Sequence, residues 1–269
     1  MKLKLLKNEK DKSQIVRYIG YDFRKTPYLY VNVIKYGLGT ENCKCWMDVY
    51  NGEIRAVYLQ YYDCLHFFTN TPSEYPLADF IQFKREHPTK VIMTTSEFGE
   101  RLVAFFEKGY YIERNNVIDM DGIKPSGNEF KSTLANEEDI EQIVDLLLTD
   151  KEYTEVYSRK ILLEQMLERY KTGFSRYFVV KMDGKIVASC STYGEVPGFA
   201  LIGSVIVHKD YRRRGLAFDV ENYACALLEE EYISRVGFVN YNNDASLALH
   251  EKLGAKRIST LYKFVSKER

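Results

Sequence analysis

The sequence predicts an α/β (α+β) protein in two parts, and three observations carry that expectation. The first is the stretch from Val205 to Ala217. There an apolar run, Phe199 to Val207, reads as a strand; a basic turn follows, and then an apolar segment of helical length, Leu216 to Leu228. The second is a pair of hairpin signals, Asn51-Gly52 and Asp183-Gly184, each between apolar runs. The third is turn chemistry near mid-chain, Asp121-Gly122 and Pro125-Ser126-Gly127. It marks a linker and divides the chain into residues 1–127 and 128–269.

The bulk properties narrow the class. With 269 residues, 45% hydrophobic and 28% charged, the chain can bury a substantial core as an ordinary globular protein. Net charge is formally zero, so no global basic field argues for nucleic acid. No apolar run is long enough to span a bilayer, and the N-terminus lacks the apolar centre of a signal peptide. A cytoplasmic protein without a membrane partner is expected. Five cysteines, an odd number, do not form a secreted disulfide framework. Cys43 and Cys45 are the one close pair, and nothing completes a zinc site around them, so no metal is expected. The 22 tyrosines read as amphipathic packing residues.

The elements follow in order. Lys10 to Leu38 is mostly helical, with Ile15, Ile19, Tyr28, Val31 and Ile34 at helical spacing and Pro27 as a break. Cys45 to Tyr50 and Glu53 to Leu59 form the first hairpin, and Tyr62 to Thr69 supplies a further strand. Leu77 to Glu86 reads as a helix stopped by Pro88. Val91 to Met93 is a short strand; Ser96 caps a helix from Glu97 to Lys108, which Gly109 ends. Tyr110 to Met120 closes the first part as a strand or hairpin. In the second part, a strand near Phe130 to Leu134 precedes a helix from Glu137 to Leu148 and another from Tyr157 to Tyr170. The hairpin of Tyr177 to Val180 with Lys185 to Ser189 leads through a loop at Glu195 and Pro197 into the strand before the basic turn. After the long helix come a strand at Arg235 to Val239, a helix at Ala245 to Leu253 stopped by Gly254, and strands at Ala255 to Ser259 and Leu261 to Val265.

The two parts repeat a pattern. Val49 to Val57 matches Lys181 to Ser189 around the turn, and Phe106-Glu-Lys-Gly109 echoes His250-Glu-Lys-Leu-Gly254. The first part has no glycine between Gly52 and Gly99. Its loop Asn70-Thr-Pro-Ser-Glu-Tyr-Pro76 is acidic and carries prolines. A duplicate that had lost its anion-binding turn would look like this.

The turn in the second part suits an anion. The first turn of a helix leaves backbone N–H groups unpaired at the positive end of the helix dipole, which fits a phosphate. Gly215 lets the backbone approach closely, and Leu216, Ala217 and Phe218 carry the first-turn N–H groups. Arg212, Arg213 and Arg214 add forked donors matched to phosphate oxygens.

Two segments resemble a known family. Arg212-x-x-Gly215-x-Ala217 is similar to the Arg/Gln-x-x-Gly-x-Gly/Ala loop of the GNAT superfamily of acyl-CoA-dependent N-acyltransferases. Asn243-Asp-Ala-Ser246 and its continuation through Lys252 to Gly254 resembles the family's Asn-x-x-Ser/Ala…Glu-Lys-x-Gly-Phe segment, with Ala255 in place of the phenylalanine. The element order from about Phe130 onward is similar to the GNAT fold. The whole chain is similar to two-part acyltransferases related to glycine N-acyltransferase, in which a degenerate half precedes the active one. The resemblance implies a mixed, mostly antiparallel sheet flanked by helices. It implies an acetyltransferase domain at 128–269 and a second, degenerate GNAT-like domain at 1–127 that shapes an acceptor pocket or a dimer face.

The same resemblance implies a site. Acetyl-CoA is the expected cofactor. Val205, Ile206 and Val207 would offer backbone groups to its acyl end, Arg212 to Phe218 would hold its diphosphate, and Asn243 would reach the pantetheine arm. Gly203 marks a bulge that splays this strand from its neighbour. A small-molecule, amino-acid or peptide amine would attack the thioester directly, and a homodimer is the assembly expected. The family often has a tyrosine acid where this chain has His250 and a glutamate base on the strand that here carries Ile202, Gly203 and Ser204. His250 and Glu195 are therefore the catalytic candidates. With the usual acid and base both replaced, a non-catalytic acyl-CoA-binding or scaffold protein is the alternative.

Overall fold

The computed structural model describes residues 2–123, 130–231 and 233–267. Its strands are β1 (Leu3–Leu5), β2 (Cys43–Tyr50), β3 (Glu53–Tyr61), β4 (Cys64–Phe68), β5 (Val91–Thr95), β6 (Tyr110–Asp119), β7 (Thr133–Leu134), β8 (Tyr177–Met182), β9 (Lys185–Val196), β10 (Phe199–Val207), β11 (Ser234–Asn240) and β12 (Lys256–Ser266). Its α-helices are α1 (Glu9–Ile19), α2 (Pro27–Tyr36), α3 (Leu77–Glu86), α4 (Ser96–Phe106), α5 (Ile140–Leu147), α6 (Lys151–Thr154), α7 (Arg159–Lys171), α8 (Leu216–Glu230) and α9 (Asp244–Leu253). The chain forms two compact units. The first is Met1–Val117 with Val239–Asn242 and Ile258–Arg269; the second is Ile118–Phe238 with Asn243–Arg257.

Local chemistry explains the hairpins. Asn51 and Gly52 have φ of 50° and 85°, and Asp183 and Gly184 have 50° and 74°. Both central residues of each turn are left-handed, which matches the right-handed twist of the flanking strands. Tyr50 pairs with Glu53 and Met182 with Lys185, so each turn is two residues long.

In the first unit the strand order is β1-β2-β3-β4-β5-β12-β6. All pairings with known register are antiparallel except β4 with β5. One face carries an aromatic core: Trp46, Tyr58, Phe67, Phe80, Phe83 and Phe98 pack with Phe264, beneath α3 and α4. Ring centroids lie 4.0 Å apart for Tyr58–Phe83 and 4.4 Å for Phe67–Phe98, the range in which aromatic pairs gain beyond area burial. Helices α1 and α2 lie against β3 and bury Ile15, Ile19, Leu29 and Val31.

In the second unit the order is β11-β10-β9-β8-β7, antiparallel except for β10 with β11. Helices α5 and α7 cover one face through Ile140, Ile143, Val144, Leu162 and Met166. Helix α8 packs on β8, β9 and β10, with α9 beside it. The succession hairpin, strand, helix, parallel strand, helix, strand thus occurs twice, as β2-β3-β4-α3-β5-α4-β6 and as β8-β9-β10-α8-β11-α9-β12. The expected mixed, mostly antiparallel sheet flanked by helices is present.

The division into units is not a cut at 127/128. Leu261–Val265 of β12 run antiparallel to β5, and Tyr262 and Phe264 are buried in the first unit's core. The first half in turn gives Ile118–Ile123 to the second unit. Met120 donates its N–H to the Arg235 carbonyl at 3.2 Å, and Asp121 accepts from the Arg235 N–H at 2.6 Å and Ser234 Oγ at 2.9 Å. Asp121 was expected in the linker; it is an anchor of β11. The rest of that linker, 124–129, lies outside the described residues. Two short closing strands were also expected, and β12 is one continuous strand. Its end is fixed by the β5 ladder and by Lys263 reaching Glu113 at 3.0 Å.

Candidate functional site

The site is built where β10 feeds α8. β10 pairs with β11 only from Phe199 to Ile202, opposite Ser234 to Gly237; from Gly203 onward the parallel register is over. On its other edge β10 carries a bulge. Gly203 pairs with Ser191 and Ile206 with Ser189, so Ser204 and Val205 together oppose Cys190. The bulge expected at Gly203 is there, but the left-handed residue is Ser204, with φ 58°. Val205 and Val207 are half-buried on this divergent edge, and Ile206 is buried among the α5–α7 residues.

Beyond Val207 the chain turns through one 3₁₀ turn, Lys209–Tyr211. His208, at the strand's end, shapes it by accepting the Asp210 N–H. Arg213 is left-handed at φ 61°, and Gly215, the N-cap of α8, has φ 79°. No other group comes within 4 Å of where a Cβ on Gly215 would lie. The glycine is required there by backbone conformation, and it leaves the approach open.

The N-cap carries no side-chain hydrogen bond. The first helical bond is Asp219 N–H to the Gly215 carbonyl at 3.0 Å. Among the described residues, no backbone hydrogen bond closes on the N–H groups of Gly215, Leu216, Ala217 or Phe218. Leu216 is buried and pins the helix start, while Arg212 to Gly215 are exposed. Arg212 Nε donates to the Val207 carbonyl at 3.2 Å; Arg214 donates to the Asp210 carbonyl at 3.2 Å and lies 5.1 Å from the Tyr211 ring. The loop is therefore braced by its own arginines.

One cation was missed from the sequence. Lys252 of α9 sits over the Phe218 ring, its Nζ 4.9 Å from the centroid. No sequence spacing ties residue 252 to residue 218; only the packing of α9 on α8 does. Asn243 is the N-cap of α9 and accepts the Ser246 N–H at 3.0 Å. It is exposed, and its Oδ1 is committed to that cap.

The two catalytic candidates are held inside the second unit. His250 is 5% exposed. Its Nδ1 lies 2.7 Å from the Ser246 carbonyl and its Nε2 lies 2.7 Å from Oε1 of Glu221, a residue with no exposure at all. The Glu221 contact is an ion pair, without an aligned hydrogen bond to either carboxylate oxygen. Burial by itself disfavours the imidazolium, but the Glu221 carboxylate and the Ser246 carbonyl outweigh it and raise the His250 pKa above its ordinary value. Glu195 was expected on a loop and lies in β9, paired with Ala200. Arg176 grips both its oxygens, at 2.8 and 2.9 Å, and Thr192 donates to it at 2.7 Å. Arg176 also holds Glu231 at 2.7 Å. The structure thus brings Val205 to Phe218 together as one edge, and commits His250 and Glu195 to interior ion pairs.

Cys225 is fully buried, and burial pushes its thiol up to about 12, so it belongs to the core. Among the described residues no group of three His, Cys, Asp or Glu could hold a metal ion, and no helix is long and apolar enough to cross a membrane.

Comparisons with known proteins bear on this geometry. Residues 140–255 match the family described as the acetyltransferase (GNAT) family. No curated protein matches the chain. Solved structures share the fold along nearly the whole length. A Drosophila protein is 12% identical, with a TM-score of 0.67 and 99% of each chain covered. An N-acetyltransferase-like protein of Streptococcus suis is 14% identical, with a TM-score of 0.63 over 96% of this chain and 99% of that one. A tandem GNAT protein from the clavulanic acid biosynthesis pathway is 11% identical, with a TM-score of 0.61 and 98% of each chain covered.

Proposed function

We propose, from the match of residues 140–255 to the acetyltransferase (GNAT) family, that the chain is an acyl-CoA-dependent N-acyltransferase, with acetyl-CoA as donor and a small amine, amino acid or peptide as acceptor. One observation carries the reading. Among the described residues, four successive backbone N–H groups, Gly215 to Phe218, are left without backbone partners at the start of a helix whose first residue is buried. They suit a diphosphate, as does the open space at the Gly215 Cα. When bound, coenzyme A would supply an acyl group activated as a thioester.

The chain's own residues would do the rest. Gly215, Leu216, Ala217 and Phe218 bind phosphate oxygens through N–H groups, with Arg212, Arg213, Arg214 and Lys252 as the surrounding cations. The edge of β10 at Val205, Ile206 and Val207, free of β11, orients the acyl end. An N–H of that edge would meet a carbonyl oxygen on which negative charge builds. Asn243 keeps its amide nitrogen for the pantetheine arm. His250 and Glu195 hold elements in place rather than move protons, because their polar atoms are occupied inside the unit. That same commitment favours a second reading, an acyl-CoA-binding protein without turnover. The first unit, with an acidic loop and no left-handed glycine at residues 70–76, would have no anion site of its own.

Calorimetric titration with acetyl-CoA tests the site, and release of free thiol across a panel of amines tests turnover. Micromolar binding with thiol release supports the enzyme. Binding without release on every amine supports the second reading, and absence of binding overturns both.

A further inference from the structure

The ion pair between α8 and α9 is built unlike an ordinary salt bridge. Glu221 of α8 has no exposure, and among the described residues no hydrogen-bond donor is aligned on either of its carboxylate oxygens. Burying a carboxylate is costly unless a charge or several donors compensate it. The compensating charge is His250 of α9, whose Nε2 lies 2.7 Å from Glu221 Oε1. On the other side of the ring, Nδ1 lies 2.7 Å from the Ser246 carbonyl, with Ser246 Oγ farther off at 3.4 Å. Both ring nitrogens thus face an acceptor. Either neutral tautomer turns a lone pair toward an oxygen at that distance, and only the imidazolium donates on both sides. The geometry itself calls for the proton.

Other groups around the pair do not replace it. Cys225 of α8 and Cys190 of β9 are buried thiols beside Glu221, and burial pushes both up, Cys225 to about 12. Neither carries charge near neutral pH. Asp219 of α8 is held by Ser132 Oγ and, at 3.2 Å, by the Lys131 N–H. Arg235, which faces Cys225, holds Glu229 at 2.6 Å. On α9 itself, Asp244, Glu251 and Lys252 are exposed. The pair also sits close to the cofactor loop. Glu221 follows the N–H groups of Gly215 to Phe218 on one helix, roughly 5–9 Å further along its axis. It ties to α8 the helix that carries Asn243 and Lys252.

We propose that Glu221 and His250 are positioning residues of the acyl-CoA site and make its affinity depend on one buried proton. With the imidazolium in place, the helix start meets a neutral pair and α9 is held on α8. Without it, a bare carboxylate lies along α8 from the bound phosphates. The inference rests on the acyl-CoA site proposed above, with or without turnover. The proton-bound form is the one that binds, so affinity is full below the His250 titration and falls as pH rises through it. Glu221 holds that titration above its ordinary value of about 6.5. One uncompensated charge ~10 Å from a phosphate weakens its binding about ten- to twentyfold at an effective dielectric of 20, and solvent at the exposed loop reduces that to about fivefold. Linkage is reciprocal, so the pair holds its proton more tightly by the same factor when coenzyme A is bound.

The test is calorimetry of acetyl-CoA on the full chain from about pH 6.5 to about pH 9.5, a window in which lysine and arginine keep their charge. It compares wild type with Glu221→Gln/His250→Gln, an amide pair that keeps the contact without the charges. We expect the wild-type dissociation constant to rise about fivefold over this range and that of the double variant to change by less than about twofold. The difference between the two profiles separates the pair from His208 and from the ligand's own phosphates. Wild type alone gives a second readout, should the double variant fail to fold. Near the His250 midpoint, titrations in phosphate and in Tris, whose ionisation heats differ, should show an uptake of about 0.4 proton per complex, the linkage value for a fivefold factor. A purely structural pair would move the melting temperature and leave both readouts still. A flat wild-type affinity, a double variant that weakens with pH as the wild type does, or binding without proton uptake overturns the proposal. Absence of acetyl-CoA binding at every pH instead overturns the acyl-CoA site beneath it.

Discussion

Replacing Gly215 by Asp separates fold from function at one position. Gly215 has φ 79°, and among the described residues nothing beyond its chain neighbours and its own helix comes within 4 Å of the added Cβ, so the substitution brings strain without a clash. That strain is about 1 kcal/mol. Aspartate tolerates the left-handed region better than most residues. At the N-cap of α8 its carboxylate accepts a first-turn N–H and meets the helix dipole, which returns about 0.5–1 kcal/mol. Net stability should change by less than about 1 kcal/mol, a melting shift of no more than ~4 °C for a chain of this length. Binding should respond very differently. A new charge ~5 Å from a phosphate repels it by about 3 kcal/mol at an effective dielectric of 20. Solvent screening at this exposed loop reduces that to about 1.5–2 kcal/mol, a ten- to thirtyfold loss of acetyl-CoA affinity. Calorimetry gives the affinity and a thermal melt gives the stability. An unchanged dissociation constant with an unchanged melt would refute the placement of the diphosphate at this helix start.

Other outcomes follow from the same geometry. His250 has a raised pKa in the folded state, so the stability it gains from Glu221 is fully present below its ordinary value of about 6.5 and is lost as pH rises through the raised value. Thermal melts of wild type and His250→Gln should therefore converge from about pH 6 toward about pH 9; a gap that widens with pH would contradict the ion pair. Glu195→Gln should lower stability by about 1–2 kcal/mol, since Arg176 loses a charged partner, while thiol release stays within about twofold. A loss of turnover of more than about a hundredfold would restore Glu195 as a base. Phe264→Ala empties a fully buried position of the first unit and should cost about 3–5 kcal/mol, read by urea denaturation. Ending the chain at Arg257 should unfold the first unit, because Leu261, Tyr262, Phe264 and Val265 each lose about 1.5–3 kcal/mol of burial, a sum comparable with an ordinary domain's whole margin, and β5 loses its ladder partner as well. Limited proteolysis would show it, and a resistant first unit would refute the strand's role.

Much of this molecule is legible in short stretches of chain. Asn51-Gly52 and Asp183-Gly184 could only form two-residue left-handed turns, because the backbone preference sits in those residues themselves. The strand Phe199–Val207 and the helix after Gly215 follow from apolar runs broken by one glycine, and the unpaired amides follow from any helix start left without a capping side chain. The family resemblance sat in the same local segments. The tertiary structure decided what depends on partners distant in sequence. Glu195 and His250 read as catalytic candidates until Arg176, just before β8, closed on the one and α8 brought Glu221 against the other. Ser204 gave no signal at all, since its left-handed backbone belongs to a bulge made by the register of β10 on β9. The last strand completes the first unit rather than the second because β5 and the aromatic core offer Leu261–Val265 a ladder and a buried seat. A period or a turn motif is a property of neighbouring residues, whereas an ion pair, a bulge and a strand's choice of sheet are settled by long-range packing free energy.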